Sequence, residues 1–226
     1  MRSLRIYGDS ILKGVMYNAE MKRYKLCRYN FAELEEAGVT IENNSKMGVT
    51  VDEGFEILKY TLPECTKDDV VVMEFGGNDC NYDWKAISEN PDRDYECKTP
   101  EDKFVSTYTE MINYARSKGA TVLVATLVPI ESEKFTNWIS RGLDYDRILS
   151  FLGDKNTTAR WQEYYSHLSE QVAKKTGCPI LDLRSNFLVS RKLDKMICED
   201  GIHPNEQVHE LIRKTFVREI KEFATA

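Results

Sequence analysis

Apolar residues in this chain fall into short unbroken runs, separated by stretches with helical spacing. Val70-Val71-Val72-Met73, within residues 69–75, and residues 120–128 are continuous apolar runs of strand length. Such runs suit strands buried on both faces. Residues 3–7, 39–43 and 179–183 read as three further strands. Between them, the spacing predicts helices over 11–19 (interrupted by Gly14), 30–37, 51–60, 158–175 and 205–223. Asn30 stands where a cap would open the second of these, and Gly38 where it would stop. Thr99-Pro100-Glu101-Asp102 predicts a helix start, with a capping hydroxyl, Pro in first position and acids in the first turn. Phe104, Tyr108, Met111, Ile112 and Ala115 then recur at helical spacing up to Gly119.

Strands alternating with helices imply right-handed crossovers and a parallel sheet covered on both faces. The expectation is a single α/β domain over 1–226: a three-layer α/β/α arrangement with a five-stranded parallel sheet, flavodoxin-like. Two long segments, about 80–98 and 130–157, read as loop insertions dotted with aromatic residues. In such sheets, ligands bind beyond the carboxyl ends of the strands. Gly8-Asp9-Ser10, Asn44 to Gly48 and Gly76 to Asp79 follow the first three strands, so all three breaks fall on one edge.

Composition narrows the function classes. The 226 residues are 42% hydrophobic, enough for a sizeable core, and the net charge is −6 with the cations scattered. A nucleic-acid surface needs a concentrated basic face, so no nucleic-acid partner is expected. No signal-peptide h-region and no membrane span are visible, which gives a cytoplasmic expectation. The six cysteines show no Cys-x-x-Cys spacing, so no metal site is expected and the thiols read as reduced. Cys80 and Cys97 flank one loop and can pair only in an oxidising compartment.

The chemistry begins at Ser10. A serine that follows a strand and opens a helix lies beside unpaired backbone N–H groups and the positive end of the peptide dipoles. An oxyanion formed there meets donors already aimed at it. Alone, Gly-Asp-Ser reads equally well as a helix cap. A nucleophilic serine needs a base, and the base an orienting carboxylate. Of three histidines, His167 and His209 fall within predicted helices and read as surface or flank residues. His203 lies in Asp200-Gly201-Ile202-His203-Pro204, where Asp200 can reach one ring nitrogen and leave the other facing a nucleophile. Asn78 can supply a side-chain amide, and Gly48 and Ser10 backbone N–H groups, to an oxyanion; Gly and Asn are also ordinary turn residues.

These four blocks, in this order, resemble those of the GDSL/SGNH hydrolase family, from residue 8 to residue 204. The resemblance implies Ser10 as nucleophile, His203 as general base and then acid, and Asp200 as its partner. It also implies an oxyanion hole of Ser10, Gly48 and Asn78, with no metal or cofactor. The implied activity is hydrolysis of carboxylic esters through an acyl-enzyme. A carbohydrate O-acetyl ester is the favoured substrate; thioesterase and lysophospholipase activities are the alternatives within the family. Because the base must be neutral, activity is expected to fall at acid pH. Asp9 and Asp79 adjoin the site, and Tyr82, Trp84 and Trp138, with Phe135 and Tyr145, lie in the two long segments. Asp9, Asp79, Tyr82, Trp84 and Trp138 are therefore the candidates for substrate contact. A non-catalytic flavodoxin-like binding module is the remaining alternative, but no phosphate-binding glycine loop follows the first strand. Oligomeric state has no signature in the chain.

Overall fold

The two unbroken apolar runs lie side by side in a five-stranded parallel sheet in the computed structural model, which describes residues 1–27, 29 and 31–225. In chain order, β1 (Ser3–Gly8) leads into a four-residue helix, α1 (Ser10–Lys13), and a hairpin of β2 (Val15–Asn18) and β3 (Arg23–Leu26). Next come α2 (Ala32–Glu35), β4 (Thr40–Asn43), α3 (Val51–Thr61) and β5 (Asp69–Glu74). Helices α4 (Trp84–Glu89) and α5 (Glu101–Ser117) precede β6 (Thr121–Ala125). Helices α6 (Ser132–Ile139), α7 (Tyr145–Leu152) and α8 (Thr157–Thr176) follow it. The chain closes with β7 (Ile180–Leu181), α9 (Ser185–Leu188), α10 (Leu193–Met196) and α11 (Glu206–Thr225).

The sheet order is β4-β1-β5-β6-β7, with every pair parallel. That is the second sheet strand, then the first, third, fourth and fifth: the flavodoxin-like order. The period of two along each strand feeds two cores. Tyr7, Val71, Met73, Val122 and Val124 face one way, onto a cluster with α3, α5 and α8. Leu4, Ile6, Val70, Val72 and Leu123 face the other way, onto a cluster with α1, α2 and α11. β5 is buried along its whole length, as its unbroken apolar run requires.

Several elements differ from expectation. The helix expected over 11–19 ends at Lys13, because Gly14 adopts φ +83 and the chain returns as the β2–β3 hairpin. A Cβ at Gly14 would lie 2.1 Å from the Cys27 carbonyl oxygen, so this crossing admits only glycine. The helix expected over 30–37 shortens to α2, and its proposed Asn30 cap lies outside the described residues. Pro100 itself, rather than Thr99, stands in the cap position of α5; Thr99 is buried and its N–H is held by the Asp79 carbonyl at 3.0 Å. The last strand keeps only Ile180–Leu181, since Asp182 accepts from the Ser185 N–H at 3.0 Å and turns the chain into α9.

The segments expected as loop insertions hold three helices, α4, α6 and α7. Asp83 and Asp144 cap α4 and α7 by accepting from the Ala86 and Arg147 N–H groups, both at 3.1 Å. Ile87 of α4 packs against Ile148 and Leu152 of α7 in a third, smaller core. All six cysteines are free. Cys97 instead lies 3.0 Å from the Tyr165 hydroxyl, and Cys80 donates to the Gly77 carbonyl at 3.3 Å. Among the described residues no helix is long and apolar enough to cross a membrane.

Candidate active site

Ser10 is the first residue of α1, immediately beyond the carboxyl end of β1. Asp9 caps this helix: its Oδ1 accepts from the Ile11 N–H at 2.8 Å. The turn is therefore fixed from below, and the Ser10 side chain is held at the strand end, 5% exposed.

The loop before α11 comes from the other end of the sequence. Asp200 Oδ1 accepts from the backbone N–H groups of Ile202 and His203, at 3.1 and 3.0 Å. Its Oδ2 lies 2.6 Å from His203 Nδ1. With Nδ1 turned to the carboxylate, Nε2 faces Ser10 Oγ at 2.8 Å. Asp200 and His203 are both buried. Gly201 sets the loop: it has φ +75, its carbonyl accepts from the Glu131 N–H at 2.8 Å, and a Cβ there would lie 2.2 Å from the Phe135 nitrogen. Hence the loop can seat against α6 only with glycine at this position.

Two other strand ends complete the ring. Gly48, with φ +81, follows β4, and Asn78 follows β5; both line the same cavity as Ser10 and His203. Asp9 Oδ2 accepts from Asn78 Nδ2 at 3.0 Å. One carboxylate thus holds both the Ser10 turn and the Asn78 amide, and it leaves the second amide hydrogen unspent. Glu74, the last residue of β5, is buried against Gly8, and its Oε2 has no hydrogen-bond partner. Burial pushes the carboxyls of Asp9 and Glu74 up, and the Asp9 charge beside it pushes Glu74 well above the usual carboxylate range. Asp9 has N–H donors on both oxygens, whereas Glu74 Oε2 has none. Asp79 is a different case: fully buried, it accepts from the Val51 N–H at 2.9 Å and stays out of the cavity wall. Burial pushes its carboxyl up to about 6.

The cavity over Ser10 encloses about 310 Å³. Tyr82, Trp84 of α4, Phe135 of α6, Phe151 of α7 and Trp161 of α8 form much of its wall, with Tyr24 of β3 beside His203. Tyr82, Trp84 and Asp9 of the expected substrate contacts face this space; Asp79 and Trp138 do not. Trp138 packs edge-on against Tyr17 and lies under the Arg141 guanidinium, 3.6 Å from it, where it docks the hairpin onto α6. Tyr24 was hidden from the sequence because its segment lies in a hairpin whose strands are only four residues long. Its ring stands 5.3 Å from that of His203, edge to face.

The other histidines divide. His167 is exposed and bonded to Gln171. His209, expected at the surface, is fully buried: its Nε2 donates to the Val15 carbonyl at 2.8 Å and its Nδ1 lies 2.8 Å from the Tyr29 hydroxyl. Burial pushes it down to about 4, so it stays neutral under the hairpin. Among the described residues no group of His, Cys, Asp and Glu side chains is arranged to hold a metal ion.

Comparison with known proteins identifies the family and the fold. The GDSL-like lipase/acylhydrolase family model matches residues 6–211. A lipase/acylhydrolase from Enterococcus faecalis shares the fold at 21% identity, with 98% of this chain and 96% of that one aligned and a TM-score of 0.63. An acetylxylan esterase from Geobacillus stearothermophilus aligns at 18% identity over 97% of this chain and 94% of its own, with a TM-score of 0.63. A GDSL-like lipase from Bacteroides thetaiotaomicron aligns at 13% identity over 98% and 88%, with a TM-score of 0.64. No curated protein matches the chain by sequence.

Proposed function

The chain belongs to the GDSL-like lipase/acylhydrolase family and is an ester-hydrolysing enzyme acting on small-molecule esters, and from that premise we propose that Ser10, His203 and Asp200 carry the reaction. The observation that carries this reading is the relay Ser10 Oγ–His203 Nε2 and His203 Nδ1–Asp200 Oδ2, at 2.8 and 2.6 Å, at the mouth of a strand-end cavity. His203 Nε2 takes the Ser10 proton as Oγ attacks the acyl carbon. Asp200 holds the ring and stabilises the imidazolium that forms. The tetrahedral oxyanion receives the N–H groups of Ser10 and Gly48 and the free N–H of Asn78. Collapse expels the alcohol, which leaves with the proton held on Nε2. Water then enters in the alcohol's place, gives its proton to Nε2, and releases the acid.

The same machinery accepts a thioester, since only the leaving atom changes. For the acyl group, the acetylxylan esterases among the structural neighbours favour an acetyl ester of a carbohydrate, whereas the apolar wall of the cavity favours a larger group. The test of the chemistry is independent of that choice. Wild type and Ser10→Ala are compared on p-nitrophenyl esters at pH 8. The expected result is a loss of at least about a thousandfold in kcat for the variant. Retention of most of the activity would remove Ser10 from the mechanism.

A further inference from the structure

The cavity wall is long on polar residues but short on free polar groups. Trp84 Nε1 donates to Asn81 Oδ1 at 2.7 Å, and Trp161 Nε1 to the Cys80 carbonyl at 2.9 Å. Gln162 Nε2 donates to the Val128 carbonyl at 2.9 Å, and its Oε1 accepts from buried Arg184 at 3.2 Å. Thr157 donates to the Leu152 carbonyl at 2.7 Å, and Thr158 pairs with Ser132 at 2.9 Å. Each of these residues turns its polar atom into the protein, leaving ring faces and hydrocarbon to line the space. Among the described residues the hydroxyls of Tyr24 and Tyr82 and Asn81 Nδ2 have no protein partner, and all three belong to side chains that reach solvent. Glu74, at the floor of the lining, is buried against Gly8 and Asp9, and its Oε2 is the one buried polar side-chain atom of this wall without a partner among the described residues.

A carbohydrate entering such a space would exchange its many water hydrogen bonds for few, at the cost of several buried unpaired hydroxyls. A hydrocarbon loses nothing and gains burial. Resting on Ser10 as the nucleophile, we infer that this cavity holds the acyl group of the substrate and that this group is an aliphatic chain longer than acetyl. The acyl group is the half that stays bonded to Oγ while water replaces the alcohol. Its place is therefore the enclosed one, and the alcohol's place is the one open to solvent. The wall that does this is built by α4, α6 and α7, the helices inserted after β5 and β6, together with the first turns of α8.

The test varies one half of the ester at a time. A p-nitrophenyl series from acetate to decanoate is compared with acetylated xylooligosaccharides and with acetate esters of alcohols of rising length. Burial of a methylene is worth about fourfold in kcat/KM. The expected result is a rise of about that size per carbon in the acyl series until the cavity is full, little dependence on the alcohol, and weak use of the sugar acetates. Phe151→Ala, at the face shared with Tyr82 and Tyr95, is expected to move the optimum to longer chains, and a thermal melt establishes that it folds. A flat or falling acyl series, a rise confined to the alcohol series, or sugar acetates as the best substrates would overturn the inference. Ser10→Ala run on the same esters keeps the two claims apart. Its inactivity with a flat acyl series would leave the nucleophile standing and remove only the chain. An absence of turnover across every ester would count against both.

Discussion

Asp9 does more than cap a helix. Its two oxygens tie the Ser10 turn to the Asn78 amide, so the proposed nucleophile and the proposed oxyanion donor are set by one side chain. Asn78→Ala removes the amide that the oxyanion is proposed to need, and steady-state kinetics should show kcat lower by about a hundredfold to a thousandfold with little change in KM. A parallel rise in KM alone would mean that Asn78 binds substrate instead. Asp79 makes a different prediction, about stability. Its folded pKa of about 6 lies above the ordinary 3.8, so the folded state binds its proton more tightly than the unfolded chain. That contribution is fully present below about pH 4 and is lost as the pH rises through 6. Asp79→Asn carries no charge and keeps an oxygen for the Val51 N–H. Relative to wild type it should therefore gain up to about 3 kcal/mol between pH 4 and pH 7, as read from urea midpoints. A constant difference across that range would show that Asp79 is ionised without penalty. At this scale the Ser10–His203–Asp200 hydrogen-bonded arrangement was legible, because only one histidine has an acid three residues back in a Gly- and Pro-bounded loop. The companion acids were not: Asp9 and Asp79 are neighbours of the same two motifs and both are buried, and only the direction each side chain takes in the fold separates one that faces the cavity from one that turns to the Val51 N–H.

Among the elements, the loop carrying Asp200 and His203 depends on α6. The Gly201 carbonyl is bonded to the Glu131 N–H, and its Cα leaves no room for a Cβ against Phe135. Gly201→Ala must move either the loop or the helix. Ester hydrolysis should fall at least about tenfold and the thermal midpoint should drop, with strain of about 1–3 kcal/mol. Unchanged activity and stability would show that the loop has slack. The inserted helices escaped the periodicity because six to eight residues give barely two turns, too few for a pattern to declare itself. Their caps, Asp83 and Asp144, are the signals that the chain does carry. The hairpin escaped for a related reason: its strands are four residues long, and Ile11 to Lys13 begins a helix that Gly14 ends. The long helices α5, α8 and α11 were legible because their apolar faces span many turns.

Across the whole molecule, five strand–helix units bring residues 10, 48, 78 and 203 to one edge of one sheet. Parallel strands make this unavoidable, since every carboxyl end lies on the same side. That is why the position of the site followed from the order of strands and helices, while the character of the cavity did not. Its wall depends on which way indole, amide and hydroxyl groups turn, and a linear sequence does not record that. The central claim is that Ser10 is the nucleophile, activated by His203. It is tested most directly by reacting the folded protein with a fluorophosphonate and locating the adduct by peptide mass spectrometry. A single adduct is expected on Ser10, formed at least about a hundredfold more slowly in His203→Ala and absent in Ser10→Ala. An adduct on another residue, or a Ser10 that labels equally fast without His203, would contradict it.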